Sequence, residues 1–306
     1  MPFYLKIPGL DIEKIPQGIR TFVFHKFFRA GMAKRGSPEP HRSSGILRLQ
    51  RWIQSVSNNR PRDQAFLIFT IDVDTSYTFR RHGEPIRRML EERGCRAAWY
   101  FLTGKYPVES SFLDSLQRSG HEIGWHGHKH DHRLGFLARA ERRAQLEQAR
   151  AFFERYDVAG MRAPHFLWTR ALHEDVSPLL AYDTSFHDAY PFSEEGIGCA
   201  TSLPFRMPCG LWQIPITITS DHFFPPSSSI SERLNWMRAQ LDAQIDLGGV
   251  VHLVLHPEPS ITLKPRNLEL LRLFLNYVDE RRGELMHCLP RELVEHSRRA
   301  EQRETC

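Results

Sequence analysis

The 306-residue sequence predicts an α/β fold with a mostly parallel sheet, a β/α barrel or near-barrel. Three observations predict it. From Gln64 onward, short apolar runs rich in β-branched and aromatic residues alternate with amphipathic stretches, the pattern of parallel strands joined by helical crossovers. Polar residues suited to chemistry fall just after those runs, at the strand ends where a barrel assembles its site. The length accommodates one large α/β domain or two small ones, and no internal repeat is visible.

The elements follow in order. Phe66–Ile71 (FLIFTI) reads as a buried strand that delivers Asp72 and Asp74 at its C-terminal end. Gly83–Arg93 reads as a helix stopped by Gly94, and Ala97–Leu102 as a second strand ending before Gly104. Ser111–Arg118 is helical, Glu122–Trp125 is a short strand, and Ala138–Tyr156 is an amphipathic helix. Gly160–Arg162 opens another strand before Pro164. Later strands are Leu211–Thr219, Val250–Leu255 (VVHLVL) and Glu284–Cys288, with helices at Asn267–Arg281 and Pro290–Arg299.

Residues 1–62 differ in character, with prolines, basic residues and a breaker-rich tract from Gly36 to Ser44. They are expected to form a basic N-terminal extension, leaving 63–306 as the main domain. Within the extension, Phe22, Phe24, Phe27, Phe28 and Met32 interleave with Arg20, Lys26, Arg29, Lys34 and Arg35. Such a segment either packs its phenylalanines on the main domain, the favoured reading, or lies on an anionic membrane surface.

Composition narrows the function classes. Lys and Arg number 41 against 36 Asp and Glu, a net charge of +5 without the dense basic and aromatic stripe of a nucleic-acid binder, so no nucleic-acid partner is expected. The five cysteines, at 95, 199, 209, 288 and 306, form no Cys-x-x-Cys pair and fit a reducing compartment. The first residues lack the apolar core of a signal peptide, and no segment has the length and apolarity to cross a bilayer. A cytoplasmic protein is expected, with peripheral contact at the inner membrane face as the alternative.

The densest chemical signal is His121 to Arg133, HEIGWHGHKHDHR. His126 and His130 stand four apart, as do His128 and His132, and either pair would converge on a metal if the chain turns tightly there. Spacing alone does not choose between them, and a histidine-rich turn is often a solvated loop.

Taken together, these residues resemble the polysaccharide deacetylase family, the NodB-homology or carbohydrate esterase family 4 domain, over roughly residues 64–300. Thr70-Ile71-Asp72-Val73-Asp74 is similar to its first motif, Thr-Phe-Asp-Asp-Gly, in an Asp-x-Asp form. Ala97 to Gly104 resembles its second strand, and Glu122 to His130 matches Glu-Ile-Gly-x-His-x-x-x-His. Arg162-Ala163-Pro164 matches Arg-x-Pro, although His165 and Phe166 stand where the family commonly has an aromatic residue and glycine. Leu253-Val254-Leu255-His256 matches Leu-x-x-His, followed by a family-like Pro257. The usual Asp-Trp motif is not recognisable; its nearest candidate is Asp221.

The resemblance implies a distorted (β/α) barrel and a site residue by residue. Asp74, His126 and His130 would bind one divalent metal, zinc first, with cobalt, nickel, manganese or iron(II) as alternatives. That leaves His128 and His132 as loop residues. Asp72 would be the general base, Arg162 its positioning partner and His256 the general acid. Asp221 is the expected carboxylate partner of His256, because a buried imidazole needs one to be protonated near neutral pH.

The implied reaction is hydrolytic removal of an N-acyl group, acetyl or formyl, from an amino sugar of a polysaccharide or a lipid-linked glycan precursor. The Ile71-to-Thr75 motif also resembles the branch that deformylates lipid-linked aminoarabinose at Gram-negative inner membranes, which would give the basic extension a partner in anionic lipid. Relatives that open cyclic imides or ureides supply a second reading. A catalytically silent carbohydrate-binding descendant is a third, opposed by the presence of both Asp72 and His256. A two-histidine, one-carboxylate iron oxygenase shares the ligand set but belongs to all-β folds.

Overall fold

The computed structural model describes residues 64–75, 79–131, 133–186, 203–219, 224 and 227–304. The proposed extension, Cys199, Cys306, His132 and Asp221 lie outside the described residues, as does the breaker-rich tract from Gly36 to Ser44. No described helix is long and apolar enough to cross a membrane.

The sheet runs in the order β6-β7-β5-β4-β3-β2-β1-β8, with β9 also paired to β1. Its strands are β1 (Ala65–Val73), β2 (Ala98–Phe101), β3 (Glu122–Trp125), β4 (Gly160–Met161), β5 (Tyr182–Asp183), β6 (Phe205–Arg206), β7 (Trp212–Gln213), β8 (Val250–Leu255) and β9 (Leu285–His287). All pairings are parallel except β6 with β7. The chain leaving β7 then crosses to β8, where Ile218 bridges Leu253 and the amides of Thr217 and Ile218 donate to the His252 carbonyl. That contact brings the two ends of the sheet together into a distorted barrel.

Helices cover the outside: α1 (Glu84–Glu91), α2 (Ser110–Arg118), α3 (Arg139–Tyr156), α4 (Arg170–Val176), α5 (Ile230–Leu247), α6 (Pro265–Glu280) and α7 (Pro290–Glu304). The alternation of strand side chains sorts the core into two layers. Phe66, Ile68, Ala98, Tyr100, Tyr182, Ile214 and Val250 pack together inside the barrel. Leu67, Phe69, Ile71, Trp99, Phe101, Val251, Leu253 and Leu255 pack against the helices. Each fully buried Leu, Ile, Val or Phe contributes roughly 1.5–3 kcal/mol, so this double layer makes the barrel rigid enough to hold a site on its rim.

Most predicted elements appear with ends moved by a residue or two, and β3 and β8 coincide with their predicted spans. The strand expected over Leu211–Thr219 is a correction: only Trp212–Gln213 pairs as a strand, with the bridge at Ile218 beyond it. Pro215 has no N–H to donate, which interrupts the ladder while Ile214, Ile216 and Ile218 stay buried.

Helix α5 is an element that the periodicity above does not mark. Its signals are a capping box, in which Ser229 Oγ accepts from Glu232 N and the Glu232 carboxylate accepts from Ser229 N, and Gly248 at its end with φ +56°. Its buried Leu234, Met237 and Leu241 follow helical spacing. Helix α4, capped by Thr169, and the two-residue strands β5 and β6 are likewise additions.

Candidate active site

The same alternation that sorts the core also places the polar residues. On β1, Phe66, Ile68, Thr70 and Asp72 share the interior face, and on β8 Val250, His252, Val254 and His256 do so. Asp72 therefore reaches the rim as the last interior residue of β1. Asp74 stands just past the strand end, where Tyr106, donating from its hydroxyl to the Val73 carbonyl, fixes the backbone between the two carboxylates. Tyr106 is a residue that the motifs do not mark. Its phenol is pushed well above its usual range, first by burial.

Gly124 lets β3 lie against β2, because a Cβ there would meet the Tyr100 ring at 2.3 Å. Two residues on, His126 Nδ1 lies 2.9 Å from the Arg162 carbonyl, which requires that nitrogen to donate and leaves Nε2 with its lone pair facing the rim. Gly127 then turns the chain at φ +86°, and His130 adopts a left-handed φ of 55°. The outcome is that His126 Nε2 and His130 Nε2 each stand 3.2 Å from Asp74 Oδ1.

Asp74, His126 and His130 each offer a ligand atom within 4.8 Å of the others. Asp74 Oδ1 is buried and has no hydrogen-bond partner among the described residues. An acceptor oxygen facing the lone pair of His126 is unfavourable unless a cation lies between them, so this donor set fits a divalent metal. Burial would raise the Asp74 carboxyl; with no cation between them, protonated His126 and His130 facing it outweigh burial by hydrogen bonding and charge and hold the group well below the usual carboxylate range, a place that a metal would take over. His128 is turned away, its Nδ1 3.1 Å from Thr103 Oγ1 and its ring against Gly104.

Beside this cluster, Asp72 is 1% exposed. Its Oδ1 accepts from Arg162 Nη1 at 2.6 Å. Its other oxygen is 3.7 Å from His256 Nε2 and 3.9 Å from His126 Nε2. The structure thus brings together Asp72, Asp74, His126, His130, Arg162 and His256, and leaves Asp221 outside the described residues.

The Arg162-Ala163-Pro164 loop continues into His165 and Phe166 with φ of 54° and 59°. Phe166 takes the left-handed conformation that a glycine would adopt without penalty, at a cost of about 1–3 kcal/mol. Its amide is committed to the Ala163 carbonyl at 2.9 Å. The exposed His165 ring lies 5.2 Å from that of His130. With His130, three of the four left-handed non-glycine residues described thus sit at this rim, the usual place for tolerated backbone strain.

The polysaccharide deacetylase family model matches residues 59–179. A comparison with curated proteins gives no match. Among solved structures, a Mycobacterium smegmatis protein classed as a polysaccharide deacetylase is similar at TM-score 0.64 and 19% identity, over 79% of this chain and 93% of that one. A Pseudomonas aeruginosa PAO1 protein of the same class has TM-score 0.59 and 14% identity, over 86% and 95% of the two chains. Puue allantoinase also has TM-score 0.59 and 14% identity, over 78% and 92%. At these identities the solved structures establish the distorted barrel.

Proposed function

We propose that the chain, whose residues 59–179 match the polysaccharide deacetylase family model, is a metal-dependent amide hydrolase that removes an acetyl or formyl group from an amino sugar. The observation that carries the reading is the convergence of Asp74, His126 and His130 within 4.8 Å, beside an Asp72 carboxylate 3.7 Å from His256.

In this reading Asp74, His126 and His130 hold the cation, with zinc the expected one. When bound, it would supply Lewis acidity, polarising the amide carbonyl and lowering the pKa of water from about 15.7 toward about 7. Asp72 takes the proton of the attacking water through its free oxygen, because Oδ1 is tied to Arg162. Arg162 balances the buried carboxylate and fixes its plane, which would otherwise be costly 1% exposed in the barrel. His256, whose Nε2 lies 3.7 Å from Asp72 Oδ2, gives a proton to the departing amine. The carbonyl of Arg162 meanwhile orients His126, so one residue steadies both the base and a ligand.

A lipid-linked precursor is part of the proposal through the resemblance of the Ile71-to-Thr75 motif, whereas an inner-membrane location and a role for the basic extension rest on residues 1–62, outside those described. The test is metal analysis of protein purified without added metal, followed by turnover of acetylated and formylated amino sugars and of cyclic ureides. Stoichiometric zinc with release of acetate or formate is expected. Turnover of ureides alone would replace the amino-sugar substrate, and a chain without bound metal or turnover would refute the reading.

A further inference from the structure

A second polar layer, formed by Thr70 and His252, lies inside the barrel below Asp72 and His256. His252 shares the interior face of β8 with His256, two interior positions deeper, and is fully buried. Its Nδ1 lies 3.0 Å from the Pro215 carbonyl oxygen. Its Nε2 lies 2.9 Å from Thr70 Oγ1 and 3.3 Å from Arg162 Nη2.

A carbonyl only accepts and a guanidinium only donates, so one state of this imidazole suits both neighbours: neutral, with its hydrogen on Nδ1. The other tautomer would set N–H against N–H at Arg162 and lone pair against lone pair at Pro215. An imidazolium would add a positive charge beside a buried guanidinium. Burial first, then the Arg162 charge, pushes the His252 pKa well below its ordinary value.

With that tautomer the hydrogens run in one direction. His252 Nδ1 donates to Pro215, Thr70 Oγ1 donates to His252 Nε2, and Arg162 Nη2 donates to Thr70 Oγ1 at 2.7 Å. Arg162 Nη1 is then free to donate to Asp72 Oδ1. The guanidinium is further held by the Thr184 carbonyl at 3.2 Å and by the faces of Tyr100 and Phe166, at 4.8 and 5.7 Å.

We propose that His252 is a positioning residue of this site: its neutral imidazole anchors Thr70 and the Arg162 guanidinium from below, so that Arg162 presents Nη1 to Asp72. This rests on the reading of Asp72 as the general base. The irregular segment after β7 gains a purpose as well, since its Pro215 carbonyl selects the tautomer. The Arg162 main chain is pinned separately, its amide donating to the Trp125 carbonyl at 2.9 Å, so His126 should not feel a change at His252.

The test uses the full zinc-loaded chain, comparing wild type with His252→Leu, which offers no acceptor, His252→Gln, which restores one, and Thr70→Val. With an acylated amino sugar, His252→Leu should lower kcat by about 10²-fold, the scale of a misplaced catalytic group, with KM and zinc affinity within about threefold. His252→Gln should recover most of that loss. Nitrogen-15 spectra of wild type, with His252 assigned from the Gln variant, should show an Nδ1–H tautomer that persists from pH 5 to 9, and Arg162 side-chain N–H exchange should rise at least about tenfold in His252→Leu and Thr70→Val. An Nε2–H tautomer or imidazolium, unchanged Arg162 exchange, or equal kcat in the Leu and Gln variants would overturn the positioning role. Absent wild-type turnover would overturn the hydrolase reading instead, while the spectra and exchange, which need no substrate and no stable Leu variant, still decide the role of His252.

Discussion

The two ends of the barrel use the same residue types to opposite effect. At the N-terminal end, Glu122 is buried at the start of β3 and fully engaged: Tyr182 Oη donates to it at 2.8 Å, the Arg291 amide at the start of α7 at 3.2 Å, and the Arg291 side chain pairs with it at 3.1 Å. Burial raises its carboxyl, and Arg291 works against that rise. At the C-terminal end, Asp74 Oδ1 is buried with no hydrogen-bond partner among the described residues, and three of those residues bear left-handed strain. Where polar groups satisfy one another they lock elements together; where they are held apart by main-chain bonds, they are left to act on something else.

That contrast breaks most visibly at the proposed metal ligands Asp74, His126 and His130. His126→Ala should remove bound zinc and activity together, measured by metal analysis and turnover on the same sample. Zinc retained at full stoichiometry in that variant would mean that the ligands lie elsewhere. Asp72→Asn comes next: kcat should fall by about 10²–10⁴-fold, the usual worth of a general base, with zinc kept. Because the amide can still accept from Arg162, its melting temperature should move far less than its kcat.

Glu122→Ala is the mirror image at the other end. It removes the acceptor of the buried Tyr182 hydroxyl and of the Arg291 amide, while the Arg291 guanidinium keeps Asp157 at 2.6 Å, and should cost about 1–3 kcal/mol in stability, read from urea unfolding. The kcat per folded molecule should stay within about threefold. A variant that keeps its stability but loses turnover would erase the division between the two ends.

How much of this was legible in the sequence depended on whether the signal was local. Asp72, Asp74, His126, His130, Arg162 and His256 each end or follow a strand, within short motifs that can be read off a single chain. The structure brings those six together, and resemblance rather than spacing separated His126 and His130 from His128 and His132. What escaped was non-local. His252 looks like any residue of an apolar strand until Thr70, Arg162 and Pro215 arrive from three other segments, and Tyr106 matters only through the Val73 carbonyl. Helix α5 carries a readable capping box, but its apolar positions are diluted by Arg233, Arg238, Asp242 and Asp246.

The smallest expected effect sits at the stabilising end, in His287. Its Nε2 accepts from the Arg96 amide at 2.7 Å and its Nδ1 donates to the Leu67 carbonyl at 3.2 Å, so a neutral ring ties β9 to β1 and to the approach of β2. Protonation would place a hydrogen on Nε2 against the Arg96 N–H. Burial, chiefly, therefore lowers its pKa from 6.5 to about 4 in the folded chain. Between those values the unfolded chain binds the extra proton, so stability rises with pH across the window: the contribution is fully present above about 6.5 and is lost as pH falls toward about 4. His287→Gln keeps a donor and an acceptor but cannot titrate. The wild-type melting temperature should drop by roughly 2–4 °C more than that of the variant between pH 6.5 and 4.5, the shift expected for about 1 kcal/mol in a domain of this size. Parallel pH profiles for the two proteins would show that the ring is not held neutral, and the tidy pairing at this end of the barrel would lose one of its members.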